Sequence, residues 1–233
     1  LRRSPGLAEA HELVGRLLTE AGPLEAGIPH LRYALSIDQT VRATADLARS
    51  LVLQGRWDDS FALLEATVHA ENVQESQWYA YARMIMWKRD PERARKLLAE
   101  IANRTFRYRY PLLLSQMVAG VRKVTLAEVS PTQEQFDRAS QRSRAFFLQQ
   151  SAEFHALVGD RESLLTSLER AVHEGLIDLM WLRHCPLFAE LHGHPRLVAL
   201  CEIVEARAQA IRDALLVSMV PPPSDGRALL PES

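Results

Sequence analysis

LARSLVLQGRWDDSFALLEA, residues 47–66, holds two apolar runs of helical period with one glycine between them. Leu47, Ala48, Leu51 and Val52, with Leu53, follow the spacings of three and four that make one stripe on a helix. Gly55 stops that run, as a residue tolerant of a left-handed backbone does. Trp57 opens the second, where Phe61, Leu64 and Val68 recur at the same period. The stretch therefore reads as two antiparallel helices joined by a very short turn.

The register recurs. The seven-residue step from Ala48 to Gly55 is repeated by Gly15 to Gly22, with its turn 33 residues upstream, and by Ala82 to Arg89, with its turn 34 downstream. Ala152 to Gly159 repeats it a fourth time. Nine residues beyond each turn stands a leucine: Leu31, Leu64, Leu98 and Leu168. The small residues let paired helices approach closely, and the leucines fill the seam between them.

A helix–turn–helix unit with a period near 34 resembles the tetratricopeptide repeat. The likeness rests on His11, Val14, Gly15, Leu18, Gly22, Leu31 and Ala34 in the first unit, and on Trp78, Tyr81, Ala82, Ile85, Ala94 and Leu98 in the third. The units are degenerate. Gln39 stands where the family often closes with proline, Gly27 and Ser60 stand where it prefers alanine, and Pro29 should kink its helix. The resemblance implies an all-α fold, a right-handed superhelix of stacked hairpins with one continuous core.

Residues 1–129 would hold three hairpins and an irregular helical spacer, since the register is lost between Asn103 and Ser130. Residues 130–216 would hold the fourth hairpin, opened by Ser130-Pro131 and Glu134, and capping helices. The proline-rich segment 217–233 reads as a disordered tail. The fourth unit, "GLIDLMWLRHCPLF", "HPRL" and a closing helix resemble the C-terminal repeat region of multidomain bacterial regulators, serine/threonine protein kinases above all. That likeness, with a first residue that is Leu1, implies a fragment of a longer signalling protein. No glycine-rich phosphate loop, H-R-D or D-F-G is present, so the expectation is no enzyme and no cofactor in this chain.

Composition narrows the partners. A formal charge of −1 argues against nucleic acid, and no apolar run reaches the roughly 20 residues of a membrane span. Two cysteines, Cys185 and Cys201, make no disulfide framework, and a reducing cytoplasm is the simpler reading. His184, Cys185, His192 and His194, with Cys201 nearby, carry zinc-ligand chemistry at an unrecognised spacing. A capping turn is preferred there, with Cys185 as a small buried hydrophobe. "FRYRY" at 106–110 could stack on bases, but aromatic packing at a repeat junction fits a near-neutral chain better.

One pattern points to binding. The residue after the small residue of each first helix is Arg16, Arg49 and Arg83, a column that tetratricopeptide arrays turn toward the concave groove. Arg49 and Arg83 are expected to be surface anchors, with Tyr79 and Trp87 as an apolar wall, while Glu12 and Glu20 partly neutralise Arg16. The function expected is protein–protein interaction, a scaffold or regulatory module holding a peptide with acidic groups or a part of its own parent. The competing reading is a structural solenoid that self-associates and takes no separate ligand.

Overall fold

The computed structural model describes residues 6–38, 42–70, 73–102 and 110–218, and among them the protein is all-helical, with no strand. Three hairpins come first: α1 (Ala8–Ala21) with α2 (Leu24–Ile37), α3 (Ala43–Leu53) with α4 (Trp57–Val68), and α5 (Glu75–Lys88) with α6 (Pro91–Ile101). Then follow α7 (Tyr110–Val118) and two short helices, α8 (Leu126–Val129) and α9 (Gln133–Arg138). The fourth hairpin is α10 (Gln141–Val158) with α11 (Arg161–His173). The chain closes through α12 (Leu179–His184), a 3₁₀ turn at Pro186–Leu191 and α13 (Pro195–Ser218).

The turns follow from the residues at them. Gly55 and Gly159 sit at φ 79°, in the left-handed region that costs a side-chain-bearing residue energy. Arg89 holds the same place in the third hairpin at φ 54°, a strain of order 1 kcal/mol. Its guanidinium donates to the Ala156 carbonyl of α10 at 3.0 Å, which ties that turn to the fourth hairpin. Just beyond it, the Asp90 carboxylate accepts from the Glu92 and Arg93 amides and caps α6, with Pro91 at the first helical position.

Small residues set the helix spacing. A Cβ on Gly27 would lie 2.5 Å from Thr19 Cγ2 and 2.6 Å from the Gly15 carbonyl oxygen, so α1 and α2 touch backbone to side chain. Leu31, Leu64 and Leu168 are fully buried at the seams. In the third hairpin the filler is Leu97, and Leu98 is only half-buried. Pro29 does not interrupt α2. The carbonyl that loses its partner there belongs to Glu25, in the exposed first turn where water reaches it.

The two halves expected at 1–129 and 130–216 share one hydrophobic core, which runs from Ala8 in α1 to Ala208 in α13. The last helix packs on α1 as well as on α11 and α12, and Arg212 Nη1 donates to the Ala21 carbonyl at 2.5 Å. The end of the chain thus returns to its beginning. Ser130-Pro131 does not open a helix directly; Thr132 caps α9 in a reciprocal pair with Gln135. α8 and α9 contain no buried residue. α13 continues to Ser218, two residues past the expected boundary; 219–233, most of the expected tail, and Gln39 lie outside the described residues, as do Leu1 to Pro5.

Candidate functional site

The first helices α1, α3 and α5 form one inner face, and the C-terminal segment lies across it. α12 contacts α1 and α3, and the 3₁₀ turn contacts α5. Trp181, Leu182 and Phe188 are fully buried there, and the Trp181 and Phe188 rings meet edge to face at 4.9 Å. These side chains cover the apolar face of α1, α3 and α5.

Polar contacts close the same face. Arg49 is 6% exposed and donates through Nη2 to both carboxylate oxygens of Asp178. Asp178 is the N-cap of α12, where its Oδ1 also accepts from the Trp181 amide at 3.0 Å. Gln149 of α10 donates to Oδ2 at 3.2 Å. Arg83, also 6% exposed, donates from Nε to Glu153 Oε2 at 3.0 Å and from Nη2 to Oε1 at 2.5 Å. The two-pronged arginine–carboxylate fork is the strongest form of this pairing. The Trp181 indole donates to the same Oε1 at 2.7 Å, so one carboxylate joins α5, α10 and α12.

The Arg83 guanidinium lies 4.9 Å from the Trp87 ring centroid and 5.7 Å from that of Phe146. Burial works against its charge, but Glu153 holds it ionised well above the usual arginine range. Tyr79 is half-buried; its hydroxyl accepts from Gln150 at 2.8 Å, and its ring rests against Tyr110 at 5.3 Å. Burial pushes the Tyr79 phenol up to about 12.

The sequence-based expectation of a surface column is therefore corrected. Arg49 and Arg83 are interior groups satisfied by the chain's own acids, and Trp87, 2% exposed, is a core side chain and not a wall open to a ligand. Arg16 alone of the three stays half-exposed. It pairs with Glu12 as expected, but its second partner is Asp46, at 2.8 Å. Glu20 turns instead to Arg142 of α10, at 2.6 and 2.8 Å. Burial and then the charge of Asp178 raise the Glu20 carboxyl to about 7, against the pull of Arg142 and Arg49.

Glu153 was legible and was missed. It follows Ala152 as Arg16, Arg49 and Arg83 follow Gly15, Ala48 and Ala82. The fourth unit thus carries an acid where the first three carry a base. Asp178 left only a weaker sign, an acidic residue before the apolar run LMWL that suits an N-cap.

The histidines and cysteines do not converge on one point. Cys185 is fully buried, and burial with the charge of Glu153 pushes its thiol well up. His184 is exposed, His192 Nε2 lies 3.1 Å from the Arg183 carbonyl, and His194 Nδ1 accepts from the Arg196 amide. Among the described residues no three His, Cys, Asp or Glu side chains are grouped to hold a metal ion. Of FRYRY, residues 106–109 lie outside the described residues, and Tyr110 begins α7 in a buried position.

Fold and site together define an all-helical protein of four hairpins whose inner face is filled from within. Among the described residues no helix is long and apolar enough to cross a membrane. The chain matches no protein-family model, no curated protein and no solved structure.

Proposed function

We propose that this chain is a protein–protein interaction module of the tetratricopeptide type, a superhelical scaffold within a larger bacterial signalling protein of the kinase-associated kind. Its groove holds a helical segment that presents two carboxylates, Glu153 and Asp178, and that segment is its own. The observation that carries this reading is the pair of buried bridges, Arg49 of α3 to Asp178 at the cap of α12 and Arg83 of α5 to Glu153 of α10, which together join the first helices to residues 141–218. The repeat register and the close Gly15–Gly27 contact support the tetratricopeptide assignment.

With the groove taken, partners meet the outer surfaces, and the intact chain has no affinity of its own for acidic peptide. Titration with polyglutamate, followed by tryptophan fluorescence and calorimetry, checks this. The expected result is no saturable signal at low salt. Saturable binding that Arg49→Ala or Arg83→Ala removes would restore the open groove and overturn the reading.

A further inference from the structure

We propose that the inner face of α1, α3 and α5 also accepts the C-terminal segment of a second copy of this chain, so that two copies exchange residues 141–218 reciprocally. This goes beyond the module's role as a scaffold and names one partner, the chain itself. Three observations carry it.

The contacts that hold the segment are specific and do not depend on chain connectivity. Arg49 with Asp178, Arg83 with Glu153 and Glu20 with Arg142 match base to acid in both directions across the interface. A second copy offers the same three pairs, because an exchanged interface reproduces every contact of the closed one.

The connection between the halves is held weakly. Of the 21 residues from Gly120 to Ser140, Val124 alone is buried, in a small cluster with Leu113 and Phe154. α8 and α9 contain no fully buried residue, and the packing their extension gives up is that of three half-buried side chains, Leu126, Val129 and Phe136. Extended at ~3.3 Å per residue, this stretch spans about 70 Å.

The place where α7 meets α10 makes that length necessary for closure within one chain. Tyr110 lies against Tyr79, which meets Phe146 near the start of α10. Leu113 and Met117 lie with Phe154, farther along. α7 packs mainly on α5 and α6 and reaches α10 near Phe154, past the middle of that helix. The chain must travel back from near Phe154 to Gln141, about 20 Å at ~1.5 Å per residue. The wild-type connection permits closure at a high effective concentration, which keeps exchange a minor state at low protein concentration.

Opposed charge variants remove that advantage. In the Arg83→Glu chain, closure within the chain sets two carboxylates against each other at this bridge. In the Glu153→Arg chain it sets two guanidinium groups together. Exchange between the two variants restores one native and one inverted pair. Equimolar Arg83→Glu and Glu153→Arg, refolded together from denaturant, are expected to give a 1:1 dimer at twice the 26.3 kDa chain mass by light scattering and native mass spectrometry. Neither variant refolded alone gives that species. A mixture that shows only the sum of its separate components, or a dimer formed by either variant alone, overturns the proposal.

A second variant keeps the question open to refutation should the charge variants not fold. Deletion of residues 121–139 leaves the native interface but only a three-residue connection, Ala119, Gly120 and Ser140, too short to run back along α10. It is expected to be a dimer or a larger closed ring that melts cooperatively. A native-like monomer, or an aggregate without cooperative melting, overturns the proposal.

Discussion

At the scale of single residues, buried charge is the feature that sets this protein's behaviour. Arg83 and Glu153 are worth less as a net gain than their geometry suggests, because both were taken out of water. Removing one partner is another matter. Glu153→Gln leaves a buried guanidinium without its counter-charge, and a loss of about 3–5 kcal/mol is expected in chemical denaturation. A loss below ~1 kcal/mol would mean the site is wet. A second interior pair responds to pH. His11 Nδ1 and His30 Nδ1 are 2.9 Å apart, both buried, and the His11 ring meets Tyr33 edge to face. Burial, and then the neighbouring His11, lower His30 to about 4. The unfolded chain takes up this proton near its ordinary value of 6.5 and the folded one does not. Stability from this site is thus complete above pH 6.5 and declines as pH falls toward 4, by on the order of 3 kcal/mol. His30→Asn keeps a polar group at the Nδ1 position and does not titrate. Its melting temperature should fall less than the wild type's between pH 7 and 5, and equal slopes would exclude His30 as the source.

At the scale of elements, helix spacing depends on a few small side chains. Gly27→Ala puts a methyl group 2.6 Å from the Gly15 carbonyl oxygen, a contact that only a shift of α1 against α2 relieves. Overpacking of this kind costs about 1–3 kcal/mol, while alanine's better helix propensity returns roughly 1 kcal/mol at most. Net destabilisation is expected, and a more stable Gly27→Ala protein would show the helix pair to be adjustable. Gly15, Gly27, Ser60 and Ala94 were readable as small residues in register because local spacing is all that hairpin packing needs. The same was true of the turns at Gly55 and Gly159. The destination of Arg49 was not readable in that way. Its partner lies 129 residues away, at a helix cap outside the repeat register, and a column of exposed arginines and a column of buried ones share one periodicity. Only Glu153, in register, betrayed the answer. The third seam shows the limit of spacing arguments in miniature: Leu97 and Leu98 are adjacent, and a small rotation of α6 decides which enters the core.

At the scale of the whole molecule, residues 141–218 belong to the core that α1, α3 and α5 build and are not an appendage to it. Truncation after Gly175 removes α12, the 3₁₀ turn and α13, and strips cover from α1, α3 and α5 at once. A molten or insoluble product is expected, with helical far-ultraviolet dichroism retained and near-ultraviolet dichroism lost in whatever remains soluble. A soluble fragment that melts as the parent does would reduce the segment to an accessory. The more direct measurement is a double-mutant cycle on Arg83→Met and Glu153→Gln, with unfolding free energies for the two single variants, the double variant and the wild type. Groups that touch couple by about 0.5–3 kcal/mol, and distant groups add independently to within ~0.5 kcal/mol. A two-pronged buried bridge across α5 and α10 predicts coupling above about 1.5 kcal/mol by this measure. Additive losses would contradict it, and with it the account of a groove filled by its own chain.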